Sequence, residues 1–406
     1  MTTNTTHPPP SSRSGSDRSA LAAVSRGDRL LFGLTLGVTV AAALARSLGD
    51  VPAFITAAVA LALLAACVGR AVEALGDRVG PAATGLLQSA LGNLPELLIL
   101  IFALRSGLIG VVQATIVGSI LANVALVLGI AFIAGGLKHG TQTFSGDAAR
   151  DIGLSLLLAV SALAIPSLTY HLHTPAATHE RTLSVITAIV LLLAFGLLLV
   201  YTLRQEGPET ATDPHGPGTP STGSANAPAD RTAAGASRGA TALGAEGAEA
   251  PPPPWPLWLA VVVLAVTGVL AALVSDWFVG ALKPAMGALH ISDAFAGLVI
   301  VAIAGNAVEN FVGIQLAMKN RAEHALQVVL QSPLQIAMVV APVVLLVSPL
   351  LGAASFTLVL SPLLLASLLL SALLAVFITL DGKSTWYEGV VLVALYALIA
   401  TSFWWG

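Results

Sequence analysis

Inside an apolar run over residues 82–104 stands Gly92-Asn93-Leu94-Pro95-Glu96-Leu97 (GNLPEL), and the same frame returns as Gly305-Asn306-Ala307-Val308-Glu309-Asn310 (GNAVEN) within residues 294–318. Glycine, asparagine and glutamate match at a constant offset of 213, and Ser119 meets Ser332 at that same offset. Coincidence is the plain alternative, because Gly and Ser are ordinary packing residues of membrane helices. A matched pair of glutamates is harder to explain that way. An ionised carboxylate deep in a bilayer is costly, so Glu96 and Glu309 are expected to face one another, a cavity or a cation, and not lipid.

The surrounding composition explains why lipid is the relevant solvent. Of 406 residues 56% are hydrophobic, and only 18 Lys and Arg and 21 Asp and Glu are present, well below the roughly 25% charged of a soluble domain. Residues 1–29 hold 6 of these charges and residues 204–254 hold 9, so 24 remain for the other 326. An ordinary soluble globule is excluded. The net charge of −3 and the lack of a basic block point away from nucleic acid and polyanions. The single cysteine, Cys67, rules out an intramolecular disulfide and a Cys-based metal site.

Apolar runs of helical length fall at 30–45, 51–71, 82–104, 111–137, 152–170, 183–203, 255–274, 294–318, 325–348, 356–380 and 389–403, eleven in all. The first, behind four arginines, imitates a cleaved leader, but that leader is long and another apolar run follows at once; a spanning helix is expected. Residues 1–29 have too little apolar content to order themselves, and 205–254, rich in Gly, Ala, Thr and Pro and ending in Pro251 to Pro254, reads as a flexible linker. The expected plan is thus a disordered cytoplasmic tail over 1–29, a first transmembrane helix over 30–48, a five-helix repeat over 49–204, a cytoplasmic linker over 205–254 and a second five-helix repeat over 255–406. With the N-terminus cytoplasmic, 14 basic residues lie inside and only Arg46, Arg105, Arg181 and Lys283 outside, which favours that orientation over its inverse. The fold class is an all-α integral membrane protein with about 11 transmembrane helices, one N-terminal helix plus two inverted five-helix repeats. Such repeats build secondary transporters, whose substrate site lies where they meet near the midplane.

Asn93 and Glu96 are one helical turn apart, as are Asn306 and Glu309, so each helix shows an amide oxygen and a carboxylate on one face. Hard oxygens with two negative charges suit Ca²⁺, and carboxylates protonated in a low dielectric would release it. The bland alternative is a buried Glu satisfied by neighbouring amides. Pro95 and Pro333, read within continuous helices, would free the carbonyls of Leu91 and Val329, and freed carbonyls are tolerated mainly where they line a cavity. Gln113, Asn123 and Gln335 add uncharged polar groups, each a ligand or a bond between helices. The expected metal set is Glu96, Glu309, Asn93, Asn306, Ser119, Ser332, Gln335 and Gln113, with Glu96 and Glu309 also binding protons; no catalytic residue and no resident cofactor are expected.

Gly92 to Leu97, Gln113 to Gly129 (QATIVGSILANVALVLG), Gly305 to Asn310 and Gln335 to Pro342 (QIAMVVAP) resemble the two alpha repeats of the cation/proton exchangers in the calcium/cation antiporter superfamily. The resemblance extends to the plan of one extra helix, five helices, a linker and five more. It implies a cation held between Glu96 and Glu309, with Asn93 and Asn306 close by and Ser119 and Ser332 at the serine of the family's Gly-Ser signatures. Two departures stand out. Asn310 occupies a place where many calcium/proton members carry a proton-relaying His, and Gln331-Ser332-Pro333 stands where Gly-Ser-Ser is usual. The linker, with six acidic and two basic residues over 205–254, is only mildly acidic.

Other clusters read more plainly. His171, His173, His179 and Glu180 can hold Zn²⁺ or sense pH, but polar loop histidines are usually solvated. Glu73 and Asp77 near Arg70 read first as an interfacial ion pair and second as a cation-attracting vestibule; Asp276 and Asp293 are discounted likewise. The H-E-x-x-H, G-x-S-x-G and phosphate-loop signatures are missing, so an enzyme is not expected. The expectation is a Ca²⁺/proton antiporter in a bacterial cytoplasmic (inner) membrane, with a Na⁺ or K⁺/proton antiporter as runner-up and a cation channel as the rival of another class. Its partners are the lipid bilayer and the transported cations and protons, without nucleic acid; self-association is left open.

Overall fold

The computed structural model describes residues 24–79, 91–205, 255–352 and 356–405, the side chains of 76–79, 202–205 and 308 excepted. The helices are α1 (Arg26–Ala45), α2 (Asp50–Val79), α3 (Leu94–Arg105), α4 (Ile109–His139), α5 (Gly146–His171), α6 (Glu180–Gln205), α7 (Leu257–Leu289), α8 (Asp293–Gly305), α9 (Ala307–Met318), α10 (Ala322–Leu351), α11 (Pro362–Thr379) and α12 (Trp386–Ser402). Among the described residues eight helices are long and apolar enough to cross a membrane, or nine if the bent pair α8 and α9 is one span. The tail before residue 24, the linker over 206–254 and the first part (82–90) of the run at 82–104 lie outside the described residues.

Local chemistry sets the helix boundaries. Ser25 caps α1 and Asp28 closes the capping box, so the helix begins at Arg26, ahead of the expected residue 30. Ser145 caps α5, and Thr385 with Glu388 makes a second capping box for α12. Ser361 before Pro362 starts α11, which leaves 356–361 outside any helix although the apolar run had read as helix from 356. Helix α7 runs well past the expected end at 274: its 33 residues make a rod of about 50 Å, longer than the roughly 30 Å hydrocarbon core. It therefore carries Asp276 and Lys283 within one helix instead of leaving them in a loop.

The two halves of the chain meet along α2 and α7, which pack most extensively, with Phe54 and Phe278 stacked at 4.9 Å between ring centroids. Helix α1 leans on α2, where buried Thr35 meets Cys67 and Arg70 pairs with Asp28 at 2.9 Å and with Glu73. That arrangement is the ion-pair reading of the Arg70 cluster; the Asp77 side chain lies outside the described residues. Helix α4 is central, 83% of its most apolar window being buried, against 22% for α6 and for α7. The outer helices turn Leu34, Leu44, Leu158, Leu193, Leu197, Val269 and Leu398 outward, an apolar belt suited to lipid. A two-stranded pairing, β1 (Gln142–Thr143) with β2 (Lys383–Ser384), ties the loop after α4 to the loop after α11.

The offset of 213 is visible in the backbone. Helix α4 opens into a π segment at Ala122–Val127 and α10 into another at Ile336–Val340, nearly the same positions of the two repeats. Asn93 (φ −90°, ψ 13°) stands immediately before α3 and Asn306 (φ −105°, ψ 14°) immediately before α9. At Asn306 the expected single span over 294–318 is broken, α8 and the following helix meeting at 65°.

Candidate functional site

The breaks at Asn93 and Asn306 place each glutamate at the third position of a new helix, where unsatisfied backbone N–H groups and the helix dipole favour negative charge. Pro95 falls in the first turn of α3, where no helical donor is required. The expectation of a freed carbonyl from a mid-helix proline is therefore corrected at Pro95. Pro333 does lie inside α10, as expected. Neither asparagine side chain caps its own helix, so both amides are available across the fold.

A buried polar cluster results. Ser119 donates to Glu96 Oε1, and Asn306 Nδ2 donates to Ser119 Oγ at 3.0 Å, to the Ala302 carbonyl at 3.1 Å and to Glu96 Oε1 at 3.5 Å. Ser332 Oγ donates to Asn306 Oδ1 at 3.3 Å. Asn93 Nδ2 donates to Gln335 Oε1 at 2.9 Å. Glu96 is 1% exposed, Asn306 2% and Ser119 0%. One oxygen of each, Glu96 Oε2 and Glu309 Oε2, is buried without a hydrogen-bond partner.

Seven of the eight residues expected at a metal site are thus joined in one neighbourhood. Gln113 is not: its amide donates to the carbonyls of Thr357 at 3.1 Å and Val359 at 2.9 Å. Those carbonyls belong to the extended stretch before α11, whose backbone also uses Ser167, Ser184 and His171. A buried non-helical backbone must find such partners, and an amide on an apolar helix looks the same in sequence whether it holds an ion or a carbonyl. Outside the expected metal set, Gly305, a glycine of the repeated motif, faces the Glu96 side chain so that an added Cβ would lie 3.5 Å from it; Gln331 stood only in a departure from the family pattern, and Gln327 was unforeseen. With Val328, Ser332 and Gln335 these two glutamines line a cavity of about 230 Å³ beside Glu309. Their signal was the four-residue spacing to Gln335, masked because they precede the most apolar part of the run.

The histidine cluster does not form a metal site. His171 bonds to the Leu360 carbonyl at 2.8 Å and His179 to Thr178 at 2.9 Å, and no group of three or more His, Cys, Asp or Glu is placed to hold an ion among the described residues. Glu96, buried, and Glu309, partly buried, are a different matter, since each leaves one buried carboxylate oxygen without a hydrogen-bond partner, and an ionised carboxylate is costly to bury.

The chain as a whole has known relatives. A family model described as sodium/calcium exchanger protein matches residues 49–204 and 259–405. A Ca(2+)/H(+) antiporter of Aphanothece halophytica is 34% identical over 355 residues, spanning 87% of this chain and 90% of that protein. A Ca(2+)/H(+) antiporter of Bacillus subtilis (strain 168) is 32% identical, spanning 85% and 90%. Among solved structures, native YfkE superposes with a TM-score of 0.72 at 28% identity over 92% of this chain and 99% of that one. The H+/Ca2+ exchanger CAX shares the fold at a TM-score of 0.66 and 16% identity, over 94% and 92%.

Proposed function

We propose, from the premise that this chain belongs to the sodium/calcium exchanger family, that it is a secondary antiporter exchanging Ca²⁺ for protons across a membrane, with Glu96 and Glu309 as the shared binding groups. The observation that carries the reading is the cluster in which both repeat-related glutamates stand in the first turn of a helix, Glu96 buried and Glu309 partly buried, each with one buried oxygen unpartnered. Relatives named as Ca(2+)/H(+) antiporters and matched over most of both chains support the choice of ions.

The physics of exchange follows from the pair. Two carboxylates in a medium of low polarity repel one another, and either a dication between them or protons on them removes the charge that burial penalises. Occupancy by one excludes the other, so loading with Ca²⁺ displaces protons and the reverse. Asn93, Asn306, Ser119 and Ser332 contribute neutral oxygens that complete the shell of a hard cation. Discontinuous helices pointing their ends at a central site, repeated within one chain, are the arrangement of alternating-access carriers. In this reading the repeats run oppositely through the membrane in an 11-helix plan, the cation sits near the midplane, and the N-terminus and the Lys319 loop are cytoplasmic, as the distribution of basic residues favours. The bacterial relatives make a cytoplasmic membrane the fitting location.

The test is proton flux driven by a Ca²⁺ gradient in vesicles containing the purified protein. Glu96→Gln and Glu309→Gln each keep shape and remove one negative charge, so both are expected to reduce exchange to background while inserting normally. Retained exchange in both variants defeats the assignment. Equal flux with Na⁺ or K⁺ in place of Ca²⁺ would turn the reading to a monovalent exchanger, and Ca²⁺ conduction uncoupled from protons would make it a channel.

A further inference from the structure

Helix α10 carries Glu323, Gln327, Gln331 and Gln335 four residues apart, so the four lie one turn after another along a single face. Gln327 and Gln331 are exposed and Gln335 is buried. The outer end of this row is tied by Gln327 Nε2 donating to Glu323 Oε1 at 3.4 Å, and the inner end by Gln335 Oε1 accepting from Asn93. Alongside runs the cavity of about 230 Å³, onto which Glu309, Gln327, Gln331, Ser332 and Gln335 all open. At roughly 30 Å³ per molecule such a space accommodates several waters. Polar side chains at membrane depth face water or protein and not lipid.

The other repeat shows why this side is special. Position 331 matches position 118 at the offset of 213, and position 118 is glycine. A Cβ on Gly118 would overlap the backbone of Leu298, so α4 and α8 are closed there main chain to main chain. The first repeat has a glycine packed against α8 at this level, whereas the second holds an amide on a cavity that Glu309 also lines.

We propose that Gln327 and Gln331 line the access path of the cation to Glu309, their amide oxygens replacing part of the hydration shell of a divalent ion before the carboxylates take it. Side-chain carbonyls of this kind are regular Ca²⁺ ligands, and water-bridged contacts to them hold an ion nearly as well as direct ones. The inference rests on Glu96 and Glu309 being the exchange site.

The experiment uses the full chain in vesicles, with buried Cys67 replaced (Cys67→Ala) and a thiol introduced by Gln331→Cys. A membrane-impermeant cationic methanethiosulfonate should react at position 331 from one side of the membrane only, slow Ca²⁺-driven proton flux by about tenfold through loss of the polar path, and react more slowly when Ca²⁺ is saturating. In parallel, Gln331→Leu should raise the half-saturating Ca²⁺ concentration about fivefold, the size of one lost hydrogen bond, with the maximal rate preserved; a purely structural defect would lower the rate instead. An exchanging protein whose position 331 is unreactive from both sides, or whose flux is untouched by labelling, overturns this proposal alone. A chain that fails to exchange Ca²⁺ before any substitution overturns the exchange reading and this proposal with it. Should Gln331→Leu not insert, the labelling result decides.

Discussion

Ser119 is the hinge of the cluster at the scale of single residues: it gives its proton to Glu96 and receives one from Asn306, so one hydroxyl joins the two repeats. Ser332, its match, makes a longer bond of 3.3 Å to Asn306 Oδ1. The two are therefore unequal despite their identical place in the repeat. A hydrogen bond to a charged group contributes about 1.5–3 kcal/mol, twice the neutral value. Ser119→Ala is expected to raise the half-saturating Ca²⁺ concentration by at least about tenfold, and Ser332→Ala by less, as read from the same vesicle flux. Equal effects would show that the hydroxyls act symmetrically. Asn93 and Asn306 differ in the same way, one bonded to Gln335 and the other to Ser119, Glu96 and Ala302. The repeat offset made the identities of these residues legible; their unequal partners depend on which helix faces which, and that no spacing encodes.

Among the elements, α4 and α8 approach one another closely beside the cluster. An added Cβ on Gly297 would stand 2.5 Å from the Val111 carbonyl and 2.8 Å from Ala114, and Gly118 is closed against Leu298 in the same way. Small residues let two helix backbones approach and gain dispersion contacts that lipid cannot replace. Gly297→Ala should therefore lower the thermal midpoint of the purified protein, by an amount corresponding to overpacking of about 1–3 kcal/mol or more. Gly69→Ala, at a helical position with nothing within 4 Å, should leave the midpoint unchanged or raise it, since alanine favours helix over glycine by about 1 kcal/mol. Equal loss in both variants would deny the close approach its role. The same scale explains the readings that missed. Helix starts at Arg26 and Pro362 follow from capping residues, which a hydropathy window averages away. The stretch over 356–361 is as apolar as a helix yet extended, because Gln113, Ser167, Ser184 and His171 on three other helices satisfy its backbone.

For the whole molecule, the halves before and after the linker are held by packing of α2 on α7 and α4 on α8 and α12. Gly129 and Gly389 also meet backbone to backbone. The site is divided between the halves, Glu96 and Ser119 in one, Asn306, Glu309 and Ser332 in the other. Fragments 1–205 and 255–406 produced together are accordingly expected to assemble and restore Ca²⁺-driven proton flux, whereas either alone should give none. Assembly without flux would make the covalent connection part of the transport cycle.

By itself the amino-acid sequence determined that the chain is helical, that it belongs in lipid, and that Asn93, Glu96 and Ser119 recur as Asn306, Glu309 and Ser332 at one offset. Hydropathy and a recurring charged residue in apolar surroundings are one-dimensional signals, because lipid penalises charge position by position. Only the tertiary structure decided that Gln113 serves two carbonyls, that the described histidines are not grouped to hold a metal, and that a glutamine-lined cavity opens beside Glu309. Those outcomes depend on distances between helices far apart in the chain, where an amide has the same hydropathy whatever it finally touches.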